Sequence, residues 1–206
     1  MEVDSSEKVV ANSEEGLIRG TRRGDTKAFS ALVEAYQEKM IHTAYSFLGS
    51  MEDAEDIAQE AFVKAYESLH SFNEKSRFST WLYRILINHC KDFLRRKKVR
   101  QHLHLFPGTR TEKDSDPAEE VQASGRDARQ ELIDRELDAE IHKALGQLPF
   151  QQQSVFTLKY LEGFKLAEIA ESLDLSLGAV KAHLWQAVQK MRRMLSHQFP
   201  VEEESR

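Results

Sequence analysis

Apolar residues recur every three or four positions in two long stretches of this chain, and that spacing fails between them. Such spacing places apolar side chains on one face of an α-helix, whereas a half-buried strand would need strict alternation. The first stretch carries three such stripes, over residues 27–48, 50–69 and 79–98, without an alternating segment. The sequence therefore predicts an all-α fold made of two small helical domains.

Residues that favour helix ends stand between the stripes of the first stretch. Gly49 is expected to end the first helix, because glycine adopts the left-handed conformation that closes a helix without strain. Ser50 is expected to cap the next helix, with Asp53 three residues further on. Ser79 is expected to cap a third helix that runs to about Lys98.

The second stretch predicts a helix from about Arg126 to Leu145, followed by shorter ones. Pro149 suits the first position of the next helix, because its missing N–H would have no partner there. Gly163 is expected to end that helix.

Composition divides the chain at the same places. Pro107, Gly108, Pro117 and scattered acids interrupt the periodicity and indicate a flexible linker. A length of 206 residues suits two small domains. The expected divisions are a disordered or partly helical leader (1–23), a first domain (24–98), the linker (99–127), a second domain (128–197) and an acidic tail (198–206).

Charge is distributed unevenly along a chain whose net charge is −5. Residues 91–100 carry six basic side chains and one acid, and residues 181–193 carry four basic side chains and no acid. Residues 101–140 carry eleven acids against five bases. Because phosphate contacts need clustered Lys and Arg, each basic patch is expected to bind nucleic acid well only when something else holds it in place.

Several classes of protein are excluded by what the sequence lacks. A single cysteine, Cys90, cannot form an internal disulfide, and is expected to be packed in a helix rather than to act as a redox sensor. No apolar run approaches the ~20 residues of a membrane span, and residues 1–15 do not resemble a secretory signal, so we expect a cytoplasmic protein without membrane insertion. His102 and His104 lack a third ligand nearby and are expected to be solvated, so neither a metal nor a cofactor is predicted.

The C-terminal pattern predicts a helix-turn-helix. Leu166–Leu173 forms a short amphipathic segment, Asp174–Ser176 a tight turn, and Ser176 is expected to cap a last helix. The second helix of such a motif lies in a DNA major groove. A helical hairpin with a solvated face is the alternative, and Trp185 fits either the core or a contact with a thymine methyl or a protein partner. The face left outside carries Lys181, Ala182, His183, Trp185, Gln186, Gln189 and Lys190.

A second set of residues lies between Asp53 and Lys98. The polar side of the helix over residues 50–69 is acidic and fits protein docking better than carboxylate catalysis, which needs a pocket. The segment after it interleaves aromatic and basic residues, as single-stranded nucleic-acid binders do. A buried aromatic core with a basic tail is the alternative. The aromatic residues are Phe78, Trp81 and Tyr83, and the basic ones are Arg77, Arg84, Lys91, Arg95, Arg96, Lys97 and Lys98.

These segments together resemble the extracytoplasmic-function (ECF) group of the sigma-70 family of bacterial RNA polymerase sigma factors. AEDIAQEAF (54–62) and FSTWLYRILINHCKDFLRRKKVR (78–100) resemble region 2 of the family, and residues 148–195 resemble region 4. The two motifs stand in the right order, and the short linker leaves no room for the family's additional central domain. Ala179, Ala182, His183 and Gln186 depart from the usual Thr, Ser, Arg and Arg of region 4, and Lys165 is a poor helix cap.

The resemblance implies a role for each matched residue. Residues expected to dock on core polymerase are Asp56, Gln59 and Glu60. Residues expected to bind or melt the −10 element are Phe72, Asn73, Arg77, Phe78, Ser79, Thr80, Trp81, Asn88, Asp92, Arg95, Arg96, Lys97 and Lys98. Residues expected to bind the −35 element, within the motif from Leu166 to Gln186 and just after it, are Ser176, Lys181, His183, Trp185, Gln186 and Lys190.

The implied partners are the β′ clamp and β flap of core RNA polymerase, promoter DNA and an anti-sigma factor. The implied function is promoter-specific initiation of transcription, without enzymatic activity of its own. One rival is a helix-turn-helix repressor or activator that binds DNA unaided, with residues 24–98 as a sensor or dimerisation domain. The other rival is a metal-dependent enzyme built around His102 and His104.

Overall fold

A computed structural model of the chain describes residues 13–103, 137 and 139–196. This described part contains helices and turns but no strand, so the predicted all-α fold is confirmed. Residues 139–146 are helical, but most of the predicted helix over 126–145 and the linker lie outside the described residues. The helices are α1 (Glu14–Arg22), α2 (Thr26–Leu48), α3 (Met51–Ser68), α4 (Phe78–Leu103), α5 (Phe150–Tyr160), α6 (Leu166–Leu173) and α7 (Leu177–Leu195), with a 3-10 turn at Leu69–Ser71.

The helix ends between α2 and α3 follow the sequence signals. Gly49 has a φ of +69°, in the left-handed region, and its N–H donates to the carbonyl of Tyr45. The Ser50 hydroxyl accepts a hydrogen bond from the N–H of Asp53 at 3.3 Å. Both predicted ends are therefore confirmed, and they fix the angle between two helices that pack closely together.

Three other predicted ends are wrong by one residue or more. Helix α4 begins at Phe78, because the Arg77 carbonyl already accepts the N–H of Trp81 at 3.2 Å, so Ser79 lies in the first turn and caps nothing. The same helix continues to Leu103, beyond Lys98. Pro149 is the residue before α5 rather than its first residue, and its carbonyl accepts the N–H groups of Gln152 and Gln153.

The first three long helices bury a common core. Four alanines one turn apart on α3 (Ala54, Ala58, Ala61 and Ala65) are almost fully buried, which lets α2 and α4 approach its backbone. The expected inward positions of α2 and α4 are buried or half-buried there, as the apolar stripes predicted. Helix α1 packs on α2 from within the predicted leader.

The second domain contains the predicted helix-turn-helix. Helix α6 ends at Asp174, which adopts a left-handed conformation with φ +53°. The Ser176 hydroxyl accepts the N–H of Ala179 at 3.1 Å and so caps α7 as predicted. Val180 and Ile169 are fully buried between the two helices and hold the motif together.

The two domains are in contact. Five residues of the second domain belong to the same buried cluster as the core of α2, α3 and α4. Within the described residues, no helix is long and apolar enough to cross a membrane. The five shared residues are Val155, Leu158, Phe164, Ile169 and Val180.

Candidate nucleic-acid and protein interfaces

The outer face of α3 carries acidic and polar residues beside two exposed apolar side chains. Asp56, Gln59 and Glu60 are all exposed and lie on one side of the helix, since they are three and four residues apart. Beyond them Val63 and Tyr66 are 55% and 42% exposed, which is high for large apolar side chains. Exposed apolar surface marks a candidate protein-binding site, and the carboxylates at its edge complement a basic partner.

One groove runs along each side of this face. One, with a volume of about 670 Å³, runs between α2 and α3 and is lined mainly by apolar atoms, including those of Phe29, Val33 and Phe62. The other, of about 580 Å³, lies between α3 and α4 around Glu60, whose carboxylate is 3.3 Å from the His89 Nδ1. The three predicted docking residues therefore stand on a ridge between two grooves.

Arg22 of α1 fastens the loop that joins α3 to α4. Its Nε donates to the carbonyl of Leu69 at 3.3 Å, and its guanidinium also donates to the carbonyl of Phe72 and the carboxylate of Glu74. The guanidinium carbon also lies 5.9 Å from the centre of the Phe72 ring. Sequence analysis missed this residue, because it lies in a polar segment that was assigned to a leader.

The rings of that loop form a compact cluster. Phe72 is 5.8 Å from Phe78 and 5.2 Å from Trp81, measured between ring centres. Phe72, Phe78 and Thr80 are buried, so no base can reach them in this conformation unless neighbouring side chains move. Trp81 and Ser79 are half-buried, and Asn73 and Arg77 are exposed.

Tyr83 is a core residue and not a stacking surface. Its side chain is 1% exposed, and its hydroxyl donates to the Glu162 carboxylate at 2.6 Å. Burial, and then the neighbouring carboxylate, raise the pKa of Tyr83 well above its usual range. The alternative of a buried aromatic core therefore holds at this position.

The basic end of α4 presents most of its predicted contacts to solvent. Asn88, Asp92, Arg95, Arg96 and Lys98 are exposed.

Lys97 differs from its neighbours in the basic run. Its ammonium is 3.2 Å from the Asp53 carboxylate at the start of α3, and it lies 5.5 Å from the centre of the Phe93 ring. These contacts tie the ends of two helices together, so Lys97 is less available to phosphates than the exposed cations around it.

The outer face of α7 is open. Lys181 and Gln186 are exposed and Trp185 is 67% exposed, which excludes the core alternative for Trp185. The Ser176 cap is exposed, and His183 and Lys190 are half-buried.

Gln186 is hydrogen-bonded to a residue of α5. The Gln152 amide nitrogen donates to the Gln186 Oε1 at 2.8 Å, and Gln152 itself is 8% exposed. Because this bond uses the carbonyl oxygen of Gln186, the amide NH₂ group remains for an external acceptor.

Neither a metal cluster nor a reactive thiol is found among the described residues. No group of three or more His, Cys, Asp and Glu side chains is arranged to hold a metal there. His104 and the side chain of His102 lie outside the described residues. Cys90 is fully buried, and burial raises its pKa to about 12, so it is packed rather than poised for oxidation.

Comparison with known proteins matches both domains to one family. Residues 32–100 match sigma-70 region 2, and residues 138–191 match sigma-70 region 4. CnrH, solved in complex with the cytosolic domain of CnrY, has a TM-score of 0.64 and 25% identity over 90% of this chain and 98% of its own. RpoE of Bartonella quintana, solved with the anti-sigma factor NepR, shares the fold with a TM-score of 0.61. The match has 22% identity and covers 82% of this chain and 98% of RpoE.

Curated relatives match along nearly their whole length. The ECF RNA polymerase sigma factor SigW of Bacillus subtilis (strain 168) is 34% identical over 86% of this chain and 94% of its own. The RNA polymerase sigma-H factor of Pseudomonas aeruginosa is 32% identical over 87% and 92%. The ECF sigma-E factor of Escherichia coli (strain K12) is 31% identical over 83% and 88%. With a fold of two helical domains and both family regions in order, the chain belongs to the ECF group of the sigma-70 family of RNA polymerase sigma factors.

Proposed function

We propose that this sigma factor docks on core RNA polymerase through the outer face of α3 and reads promoters with two surfaces, one on each domain. The first domain would span residues 24–98 and the second residues 128–197. The observation that carries the proposal is the separation of three surfaces on one fold: an acidic ridge with apolar grooves, a basic helix end, and an acid-free recognition helix.

Docking uses charge and shape together. Asp56, Gln59 and Glu60 meet basic residues of the β′ clamp, and the apolar groove beside them takes a side chain of the same partner. A second contact, between the second domain and the β flap, fixes the distance between the domains. Two weak DNA contacts held at a fixed distance act as one strong contact through effective concentration.

The first domain reads the −10 element as an opened strand. Asn73 and Arg77 are the exposed residues of the loop, and half-buried Trp81 offers a ring edge. Phe72, Phe78 and Thr80 form the wall behind them, so they shape the pocket once it opens. Exposed Arg95, Arg96 and Lys98 hold the backbone of the strand, since cations beside stacked bases are the usual means of holding single strands.

The second domain reads the −35 element as a duplex. Lys181, Trp185 and Gln186 lie on the open face of α7, and the amides after Ser176 offer a phosphate site at the start of the helix. The Gln186 NH₂ group left by the bond to Gln152 donates to a base acceptor, such as guanine O6 or N7 or thymine O4.

Regulation by a protein that covers these surfaces is part of the proposal. CnrH and RpoE were both solved in complexes, with the cytosolic domain of CnrY and with the anti-sigma factor NepR respectively. An anti-sigma factor for this chain would bind the same faces that polymerase needs. The chain acts in the cytoplasm beside polymerase, and it performs no covalent chemistry.

Transcription in vitro tests the proposal. Core polymerase with the purified chain on a genomic template should yield transcripts with a small set of mapped start sites, and core alone should not. If the chain bound specific duplex DNA tightly by itself but gave core no new start sites, the rival reading of an independent repressor or activator would replace this one.

A further inference from the structure

Arg22 of α1 holds both residues that flank Asn73 in the loop between α3 and α4. Its guanidinium donates to the carbonyl of Phe72 and to the carboxylate of Glu74. The Arg22 side chain is 25% exposed, so water competes weakly for these bonds. A guanidinium presents its donors in a rigid planar fork, so it fixes the positions of the acceptors that it binds. A side chain from a distant helix therefore holds the chain on both sides of Asn73.

Asn73 begins a tight turn at this point of the loop. Its side-chain oxygen Oδ1 accepts the N–H of Lys75 at 3.2 Å, in the manner of an Asx turn. Glu74, between them, has a φ of +57°, in the left-handed region that residues with a side chain rarely adopt. Such a backbone conformation persists where surrounding contacts hold it. The bond from Arg22 to the Glu74 carboxylate is such a contact, so Arg22 stabilises the turn.

The turn sets the direction of the Asn73 amide. Because a backbone N–H needs an acceptor, the amide oxygen faces Lys75 and the NH₂ group remains for an external acceptor. Asn73 is exposed and follows Phe72, which is packed among the rings of the loop. An unpaired base exposes oxygen and ring-nitrogen acceptors on edges that pairing would hide. Asn73 is therefore placed to donate to one acceptor of an opened strand.

We propose that Arg22 is a positioning residue for −10 recognition: it fixes Phe72 and Glu74, and so sets the direction in which Asn73 offers its NH₂ group to an unpaired base. The proposal rests on the proposed function, in which Asn73 contacts the −10 strand. The base that Asn73 meets presents an oxygen or ring-nitrogen acceptor. Arg22 acts from behind the turn and through Asn73, so its loss changes which base is preferred more than how tightly the strand is held.

Two other roles for Arg22 would have different signatures. A contact from Arg22 to phosphate would make Arg22→Ala weaken binding of all sequences alike and lower the salt dependence. A role in folding alone would make the same variant less stable without a change in base preference. Base preference at one position therefore separates positioning from both alternatives.

Binding of single-stranded oligonucleotides by the holoenzyme measures this preference. The oligonucleotides carry the −10 sequence of a start site mapped by transcription in vitro, with one position varied at a time. Asn73→Ala identifies the position that Asn73 reads. Arg22→Ala should reduce discrimination at that same position by about fivefold or more and leave the other positions unchanged.

Arg19→Ala removes an exposed cation from the same helix and is the matched control. It should keep the wild-type base preference at every position. Equal losses at all positions with Arg22→Ala, or no change at the position that Asn73 reads, would overturn the proposal.

Asn73→Asp sharpens the test, because the carboxylate keeps an acceptor for Lys75 and replaces the donor by a second acceptor. With Arg22 present, the preference should move to a base that presents an amino group, such as adenine or cytosine. With Arg22→Ala in the same chain, Asn73→Asp should change the preference little, because the direction of the side chain is no longer fixed. Non-additivity of this kind is the expected sign of coupling. Equal shifts with and without Arg22 would contradict the positioning role.

Order of the loop can be measured without polymerase. Backbone NMR relaxation of the free chain should give order parameters of about 0.85 for residues 73–75 in the wild type and in Arg19→Ala, and below about 0.6 in Arg22→Ala. Circular dichroism should show that all variants keep their helices. A loop that stays rigid without Arg22 would overturn the proposal, whatever the transcription result. A loop loosened by Arg22→Ala, with a wild-type holoenzyme that gives no defined start sites, would support the hold of Arg22 on the turn and remove only the proposed function.

Discussion

The two candidate DNA surfaces differ in how much of each is already occupied. On α7 the face proposed to meet DNA is open, with Trp185 67% exposed and Gln186 exposed. Around the loop before α4, Phe72, Phe78 and Thr80 are buried and the Thr80 carbonyl is bound by Ser172. A duplex presents its groove edges to any rigid helix, whereas a melted strand needs a pocket that would expose apolar rings to water when empty. The candidate −10 surface therefore has its apolar rings packed away with only polar residues outside, whereas the candidate −35 surface already exposes its large aromatic side chain.

Reversal of charge on the α3 ridge should prevent binding to core polymerase, on which the action of both DNA surfaces depends. Asp56→Arg with Glu60→Arg should abolish co-purification with core polymerase, because both side chains are exposed and would meet like charge. Glu34→Arg with Glu38→Arg on α2 has the same spacing on an exposed face and serves as control. Unchanged polymerase binding by the first pair would remove the ridge from the interface.

Loss of the Arg22 hydrogen bonds should affect only the loop between α3 and α4, which carries candidate −10 residues. Arg22→Ala removes the donors to Leu69, Phe72 and Glu74, which costs about 1–3 kcal/mol for groups of this kind and loosens the loop. Promoter opening, followed by permanganate reactivity of thymines near −10, should fall about tenfold or more at that cost. Exposed Arg23→Ala is the neighbouring control. Equal opening by both variants would show that these hydrogen bonds have no role in melting.

Gln186→Ala should alter the open surface in a base-specific way. Loss of one side-chain contact to a base costs about 1–3 kcal/mol at a single position of the −35 element and leaves other positions unchanged. Arg96→Ala, on the basic end of α4, should instead weaken binding of all promoters and lower the salt dependence by about one unit. Selection from a randomised −35 library with holoenzyme measures the base preference, and promoter affinity at several salt concentrations measures the effect of Arg96→Ala. If Gln186→Ala lowered affinity for all −35 sequences equally, the role of Gln186 would be structural rather than base-specific.

The smallest effect should come from Gln152, which touches DNA only through Gln186. Gln152→Leu preserves the approximate size of the side chain and removes the donor to the Gln186 carbonyl. Gln186 could then offer both its oxygen and its nitrogen, so adenine should become acceptable at the position it reads, with a change of about threefold to tenfold. The same library selection reports the change. If Gln152→Leu lowered affinity for all sequences alike, its role would be structural.

Local signals predicted most of the helices and their ends. Gly49, Ser50 and Ser176 cap helices at the positions predicted from the sequence, because a cap depends on residues within one turn of the chain. The helix-turn-helix could be read from the spacing of Leu166–Leu173 and the turn after it. Ser79 is the better cap by residue type, but α4 begins two residues earlier than such a cap requires, where the rings of Phe78 and Trp81 pack together.

Contacts between distant segments could not be predicted. Arg22 reaches Phe72 across fifty residues, and Glu162 reaches Tyr83 across seventy-nine. No periodic pattern marks either residue, since each acts through the fold and not through its neighbours. The burial of Phe72 and Tyr83 follows from the same long-range packing, so the sequence alone leaves open whether such rings stack on bases or belong to the core.

The central claim is that the outer face of α3 holds this chain on core polymerase, so that its two candidate DNA surfaces act together. Transcription in vitro should therefore be compared for core polymerase alone, for core with the wild-type chain, and for core with the Asp56→Arg and Glu60→Arg variant. The account predicts defined start sites with the wild-type chain only. Defined start sites with the charge-reversed variant, or none with the wild-type chain, would contradict it.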